Sequence, residues 1–589
     1  VNFAADVTFA DGADIITASA GSQNFRAGVL AGSSIASGGN NNVLVGNGAG
    51  TDISTGDDNV AIGYRALYKE DGNGLNTAVG SQALFNLNAG AEGYTTAVGY
   101  LAGTALTTGV RNTLMGSHAG GSLTDADHNV AVGTFTLTTD TLGSKSTALG
   151  YSALYAQNFT TATDTYNVAV GYGSGVAVTT GIENTLIGGN AGDALTDADA
   201  NVAVGTYALT TDTLGSKSVA IGDRALLTQN FTTATDTHNV AVGYNAGGAV
   251  TTGVQNTLIG GLAGDALNTG LSNTAVGKSA LSTDTKGNAN TAIGKGALEA
   301  QNFTTATDSF NTAVGYEAGA AVTTGIYNTL IGGVTGDALT DADNNVAVGR
   351  AALSTDTLGS CSVAIGRNAL VAQNFTTATD SFNVAVGDRA GAGVTEGVKN
   401  TMLGSLAGTN GTDLSTGSLN IGIGYNTGFS SNNAFQQFVL GVDISSDQDN
   451  QFIFGKPSNT VANEFDTDNA WTRSSDIRKK KNIENSTLGL DFINDLRTVT
   501  FQWKPNNEFP TDFAEYSEEN HMTTDVTMHG MIAQEVKSAL DNAEINNFGG
   551  WKEDSNGSQR ISQDMFVYPL IKAVQELSTA LDAALARIA

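Results

Sequence analysis

The chain has 589 residues, 74 of them glycine and only 4 proline, and carries 27 basic against 57 acidic side chains for a net charge of −30. Glycine without a strict every-third-residue period, and almost without proline, excludes collagen. The acidic surface, −23 over residues 1–474 and −7 over the remainder, repels nucleic acid and anionic lipid, so neither is an expected partner.

Residues 1–41 precede the regular pattern and are expected to form an N-terminal β segment or the end of a longer fibre. A start at Val1 rather than methionine points to processing or to a fragment with an anchoring region upstream. There is no run of about 18 apolar residues, so no transmembrane helix and no membrane insertion are predicted. The single cysteine, Cys361, stands where the corresponding Lys145 and Lys217 stand, reads as an incidental surface substitution and indicates no redox chemistry.

From residue 42 to 428 the text repeats a unit of the form Asn-Thr/Val-Ala-Val/Ile-Gly-x-x-Ala-Leu/Gly, as in Asn59-Val60-Ala61-Ile62-Gly63-Tyr64-Arg65-Ala66-Leu67. About 22 copies follow one another, most of them 17 residues apart. One step in four is 21 and holds the insert Gln157-Asn158-Phe159-Thr160-Thr161-Ala162-Thr163-Asp164 or its copies, so Gly99, Gly171, Gly243, Gly315 and Gly387 lie 72 residues apart. Such a unit is too small to bury a core alone, and successive units must stack. The expected fold is therefore mainly β, a parallel β-solenoid rod of roughly 100 Å at about 4.8 Å per coil.

Within each strand Val60 and Ile62 share one face and Ala61 takes the other. Both faces are apolar, and once per 72 residues the alanine becomes larger, at Leu114, Leu186, Leu258, Leu330 and Met402. A sheet apolar on both faces needs cover on both. The coil interior supplies one and identical chains the other, which predicts a homotrimer packed about one axis.

The turn aspartates, Asp193, Asp197 and Asp199 with their copies Asp337, Asp341 and Asp343, read as solvated turns; calcium there is the alternative, and no other cofactor or metal is indicated. The inserts pair Phe159 with Tyr166, Phe231 with His238, Phe303 with Phe310 and Phe375 with Phe382, read as stacked aromatics capping a loop rather than a glycan-binding ladder. After Gly424 the glycine period stops. Residues 429–474 are rich in aromatic and amide side chains and read as a β cap, with Phe435, Phe438, Phe452, Phe454 and Trp471 as candidate receptor contacts at a tip.

The repeat resembles the left-handed parallel β-roll of YadA-type trimeric adhesin heads, and more closely the repeats of bacteriophage tail fibres. Residues 475–589 resemble the C-terminal intramolecular chaperone of phage endosialidases, tail spikes and tail fibres. The resemblance is carried by Ser475-Asp476-Ile477-Arg478-Lys479-Lys480-Lys481-Asn482-Ile483, Leu488-Gly489-Leu490-Asp491-Phe492-Ile493, the segment Val499-Thr500-Phe501-Gln502-Trp503-Lys504 and Gly530-Met531-Ile532-Ala533-Gln534-Glu535-Val536.

The resemblance implies an α+β domain that trimerises, templates folding of the fibre and then cuts its own chain between Ser475 and Asp476, with Ser475 and Lys480 as a catalytic dyad. It further implies a virion tail fibre whose partners are upstream tail or baseplate proteins and a host-surface receptor, a glycan or an outer-membrane component. Independently, Leu570, Val574, Leu577, Leu581 and Ile588 fall on a heptad seam, which predicts a short trimeric coiled coil. A serine needs a base to take its proton, and Arg478, Lys479 and Lys481 beside Lys480, together with burial, would favour the neutral amine that can serve. A bacterial surface adhesin and a polysaccharide-cleaving tail spike are the alternatives. The spike needs paired carboxylates in a cleft, which the repeats do not offer.

Overall fold

The computed structural model describes residues 19–466, 475–513, 515–520 and 522–588. The chain divides into two compact units, Val1–Ser474 and Ser475–Ala589.

The first unit is a parallel β-solenoid built on one 26-stranded sheet. Strands of three residues stack in register, Val43 on Val60 and Val60 on Thr77, then onward coil by coil. The 21-residue step keeps the register, with Thr147 on Val168. Pairing begins at Phe25–Ala27 and continues past Gly424 through Phe438–Gly441 to Gln451–Lys456, where an antiparallel return by Asn459–Glu464 closes the sheet. The ladder thus runs one coil before and two coils beyond the repeat read from the glycine period, roughly 120 Å at about 4.8 Å per strand.

The glycine that ends each strand is forced by the stacking itself. At Gly171 φ is +144°, and a Cβ there would lie 2.3 Å from the carbonyl oxygen of Gly188 in the next coil. The interior takes the small side chains. Ala61 and its equivalents are fully buried, as are Leu114, Leu186, Leu258, Leu330 and Met402 in the same column. Val60 is half-buried, and Ile62 points outward, 39 % exposed. Leu67, Leu154, Leu226 and Leu298 hold φ near +50° with their side chains fully buried. Each such left-handed turn costs about 1–3 kcal/mol, which core burial offsets.

Two polar systems run inside this apolar stack. The first is a ladder of buried asparagines at the residue before most strands, with Thr95, Ser146, Ser218, Ser362 and Gln437 taking that place in the other coils. The Asn184 amide N–H donates to Oδ1 of Asn167 at 2.9 Å, its own Oδ1 accepts from the Asn201 N–H at 3.0 Å, and its Nδ2 donates to the Ala198 carbonyl at 2.7 Å. Buried backbone groups that the turns would otherwise orphan are satisfied this way.

The second system clasps each insert. Asp140 is fully buried, and its carboxylate accepts from Gln157 Nε2 at 2.6 Å and from the Gly143 and Phe159 amides, each at 3.1 Å. Asp212 with Gln229, Asp284 with Gln301 and Asp356 with Gln373 repeat the clasp. Phe159, Phe231, Phe303 and Phe375 are buried by it. The expected aromatic pairs are therefore not stacked. Tyr166, Phe310 and Phe382 point outward, about half exposed, and Phe310 stacks instead on Tyr327 of the next coil at 5.8 Å.

The second unit is α+β. Helix α1 (Leu490–Asp495) leads into a strand, Val499–Phe501, paired antiparallel with Met528–Gly530, and then to helix α2 (Ala533–Asn542). A hairpin of Trp551–Glu553 with Gln559–Ile561 precedes the C-terminal helix α3 (Val567–Ile588). Leu488, Phe492, Val536, Ala539, Leu540 and Phe566 form its core. Glu576 of α3 accepts the Leu490 amide at 2.7 Å, capping α1 and holding the Glu576 carboxyl below its usual range.

Candidate functional site: the Ser475–Lys480 turn

The second unit opens on a turn made by its own side chains. Asp476 has extended backbone and its carboxylate accepts the Arg478 N–H at 2.8 Å, which starts the single 3-10 turn Ile477–Lys479. The Arg478 guanidinium forks back onto the same carboxylate, Nη2 to Oδ2 at 2.6 Å and Nε to Oδ1 at 3.0 Å. This pair pulls the Asp476 carboxyl down and the Arg478 guanidinium up. The turn folds residue 480 back over residue 475, and Lys480 Nζ donates to Ser475 Oγ at 2.7 Å.

A hydroxyl and an amine in direct hydrogen-bond contact are the pair that nucleophilic catalysis by serine requires once the amine is neutral. Residues 475–544 match the family model described as the chaperone of endosialidase. No curated protein matches the chain. The chaperone match begins at Ser475, the residue that opens the second compact unit, and ends just past α2. A solenoid rod followed by this domain fits a tail fibre or tail spike with a C-terminal chaperone.

Two features of the chaperone's first turn differ from the sequence expectation. Ser475 and Lys480 are both exposed in the single chain, so the burial expected to favour a neutral lysine is not supplied by the chain itself. Arg478, counted as one of three cations pressing on Lys480, is instead neutralised by Asp476. The fork between Asp476 and Arg478 went unread, although a two-residue separation starting at an N-cap carboxylate signals it.

The remaining candidates fall into separate places. Leu570, Val574, Leu577, Leu581 and Ile588 lie along α3 and are all more than half exposed. Phe438 and Phe452 continue the outward column of Val60 on the last coils, their rings 4.4 Å apart, and Phe454 follows Ile62 in the next column. Phe435 is exposed beside them, its amide held by Asp449 at 2.8 Å, while Trp471 lies outside the described residues.

Most of the turn aspartates are used between coils, whereas Asp337 keeps Oδ1 buried without a partner. Asp197 accepts from the Thr180 hydroxyl at 2.6 Å and Asp199 from the Ile182 amide at 2.8 Å, and Asp193 accepts from Thr210. Among the described residues no three acidic, histidine or cysteine side chains gather as a metal site would require.

Proposed function

We propose that the chain is a homotrimeric bacteriophage tail fibre, carried on the virion, whose C-terminal domain trimerises, directs folding of the rod and then releases itself by cleavage between Ser475 and Asp476. The observation that carries this reading is the 2.7 Å contact from Lys480 to Ser475 at the first residue of the chaperone match. Two uncovered apolar surfaces support the trimer. One is the outward strand column, in which Ile62, Ile187, Ile221, Ile259, Ile293 and Ile365 are each more than a third exposed. The other is the heptad stripe of α3, whose spacing suits a parallel coiled coil.

Attack by the Ser475 hydroxyl on its own carbonyl would close a strained four-membered ring. The acceptor carbonyl therefore comes from a neighbouring chain, and the same neighbour supplies the desolvation that Lys480 lacks alone. Cleavage then reports on correct assembly. Released from its template, the rod is held by the barrier to unfolding. In the mature fibre the aromatic coils carrying Phe435, Phe438, Phe452 and Phe454 become the receptor-facing tip, for a host-surface glycan or outer-membrane component, and the opposite end joins upstream tail or baseplate proteins.

Denaturing electrophoresis with intact-mass measurement tests the central claim. The parent chain gives two products divided after Ser475, Ser475→Ala and Lys480→Ala give one uncut chain, and Ser474→Ala cuts normally. An uncut parent chain, or a cut Ser475→Ala chain, refutes it.

A further inference from the structure

One stretch of the rod carries side chains that the fold does not use. Tyr100, His118, Phe135, Tyr151, Tyr155 and Tyr172 form an unbroken line of ring contacts across five successive coils. Tyr100 meets His118 at 5.4 Å, His118 meets Phe135 at 5.3 Å, Phe135 meets Tyr151 at 6.1 Å and Tyr155 at 6.5 Å, and Tyr151 stacks on Tyr172 at 5.3 Å. The four tyrosines are 40–65 % exposed. At about 4.8 Å per coil the line is roughly 20 Å long.

The 72-residue repeat provides an internal control. Buried Leu154 returns unchanged as Leu226, Leu298 and Leu370. Half-buried Phe135 returns as Tyr207, Ser279 and Ala351, and exposed Tyr151 as Asp223, Lys295 and Arg367. Tyr100 and Tyr172 return as Tyr244 and Tyr316, but the coils fold the same way with and without rings at the positions of Phe135, Tyr151 and Tyr155, so the fold does not require those three rings. The charges in this column also argue against an apolar contact between copies there. Further along the rod the column holds solvent-facing ion pairs, Lys295 with Glu317 at 3.7 Å and Arg367 with Asp388 at 2.7 Å.

The chemistry of the strip is neutral on an otherwise acidic protein. The turn segments 100–104, 117–122, 134–139, 151–156 and 172–177 contain no Asp, Glu, Lys or Arg. Ring faces cover apolar C–H surface, while tyrosine hydroxyls, the Ser117–His118 pair and Thr134 offer hydrogen bonds at its edges. A linear ligand with apolar faces, hydroxyl edges and no charge fits this combination, whereas a polyanion would meet no cation and a net charge of −30.

We infer that this strip is a lateral binding site for an uncharged polysaccharide chain laid along the rod axis, separate from the tip contacts proposed above. The test is native electrophoresis of the full chain in gels cast with dextran, a soluble β-glucan, a galactomannan or a mannan, with alginate as the polyanion, each compared with a polymer-free gel. At least one neutral polymer is expected to retard the protein. Phe135→Ser combined with Tyr155→Leu, residues already tolerated at Ser279 and Leu227, should weaken the retardation at least tenfold, and Tyr316→Ser should leave it unchanged. Retardation by alginate alone, by none of the neutral polymers, or equally in the double variant overturns the inference. Retardation abolished by Phe435→Ala with Phe454→Ala but not by the strip variant assigns binding to the tip and overturns it as well.

Discussion

Replacing Asn184 by alanine tests whether the buried asparagine ladder holds the coils together. The substitution removes the acceptor of the Asn201 amide at 3.0 Å and the donor to the Ala198 carbonyl at 2.7 Å, and leaves untouched the Asn184 amide's own bond to Asn167. Both orphaned groups lie where water does not reach, since Asn184 and Asn201 are fully buried. An unsatisfied buried donor or acceptor costs about 1–3 kcal/mol, so the pair costs roughly 2–6 kcal/mol. Neighbouring coils in a solenoid couple mainly to each other, and the loss should be felt locally rather than spread along the rod. Amide hydrogen exchange reads it directly. With about 1.4 kcal/mol per tenfold, the Asn201 amide should exchange at least about thirtyfold faster, while amides four coils away, such as that of Asn273, keep their protection. A change below about fivefold at Asn201 would refute the ladder as a source of cohesion and leave the apolar columns to hold the stack.

Three further substitutions probe other parts of the fold. Gly243→Ala forces a side chain onto φ +139° and places Cβ 2.6 Å from the Gly260 carbonyl; the backbone strain alone costs about 1–3 kcal/mol, and limited proteolysis should find a new cut between these coils. Glu70 is buried with Oε2 unpartnered and its carboxyl pushed up by burial; because a raised carboxyl destabilises the fold increasingly as pH climbs past the ordinary carboxylate range, the stability of Glu70→Gln relative to the parent chain should rise from pH 4 to pH 7, measured by denaturant unfolding. Leu577→Pro breaks α3 in the middle of its exposed stripe, so the variant should sediment as a monomer and remain uncut; a monomer that still cleaves removes the neighbouring chain from the mechanism.

The coil period and the two apolar strand faces were legible because glycine and strand alternation each leave a fixed spacing in the text. Which strand face turns inward was not legible, since Ala61 and Ile62 are both apolar. The structure puts alanine inside because the interior is already occupied by the Leu67 and asparagine columns, and the bulkier Ile62 is left outside. Asp140 was invisible as a core residue because an aspartate in a glycine-rich repeat reads as a turn. The signal becomes clear only column by column. The seventh residue after the glycine is Leu123, Asp140, Gln157 and Val178 in turn, and an acid followed one coil later by an amide is a buried clasp. At the start of the second unit Ser475 and Lys480 came from the resemblance to the phage chaperone domain, whereas their exposure in the single chain leaves no mark in the sequence.

The same columns explain why a rod of this kind needs a chaperone at one end. Displacing two coils by one coil sets Asp140 against Val178 rather than Gln157, so a one-coil error leaves buried carboxylates without their amide donors. A slip by the full 72-residue period costs nothing of the sort. Asparagine falls on asparagine, glycine on glycine, and Asp212 takes the place of Asp140 with Gln229 in the place of Gln157. Between chains of the trimer proposed above, the outward Val/Ile columns are equally indifferent to a four-coil shift, and only the unpaired coils at the two ends pay for it. Interactions along the rod therefore specify register within a period and leave it degenerate between periods. A trimerising domain fused to one end removes that degeneracy by aligning the last coil of each chain before the others pair. Its work would be complete once the first period has zipped, so the cleavage proposed above would cost the folded rod nothing.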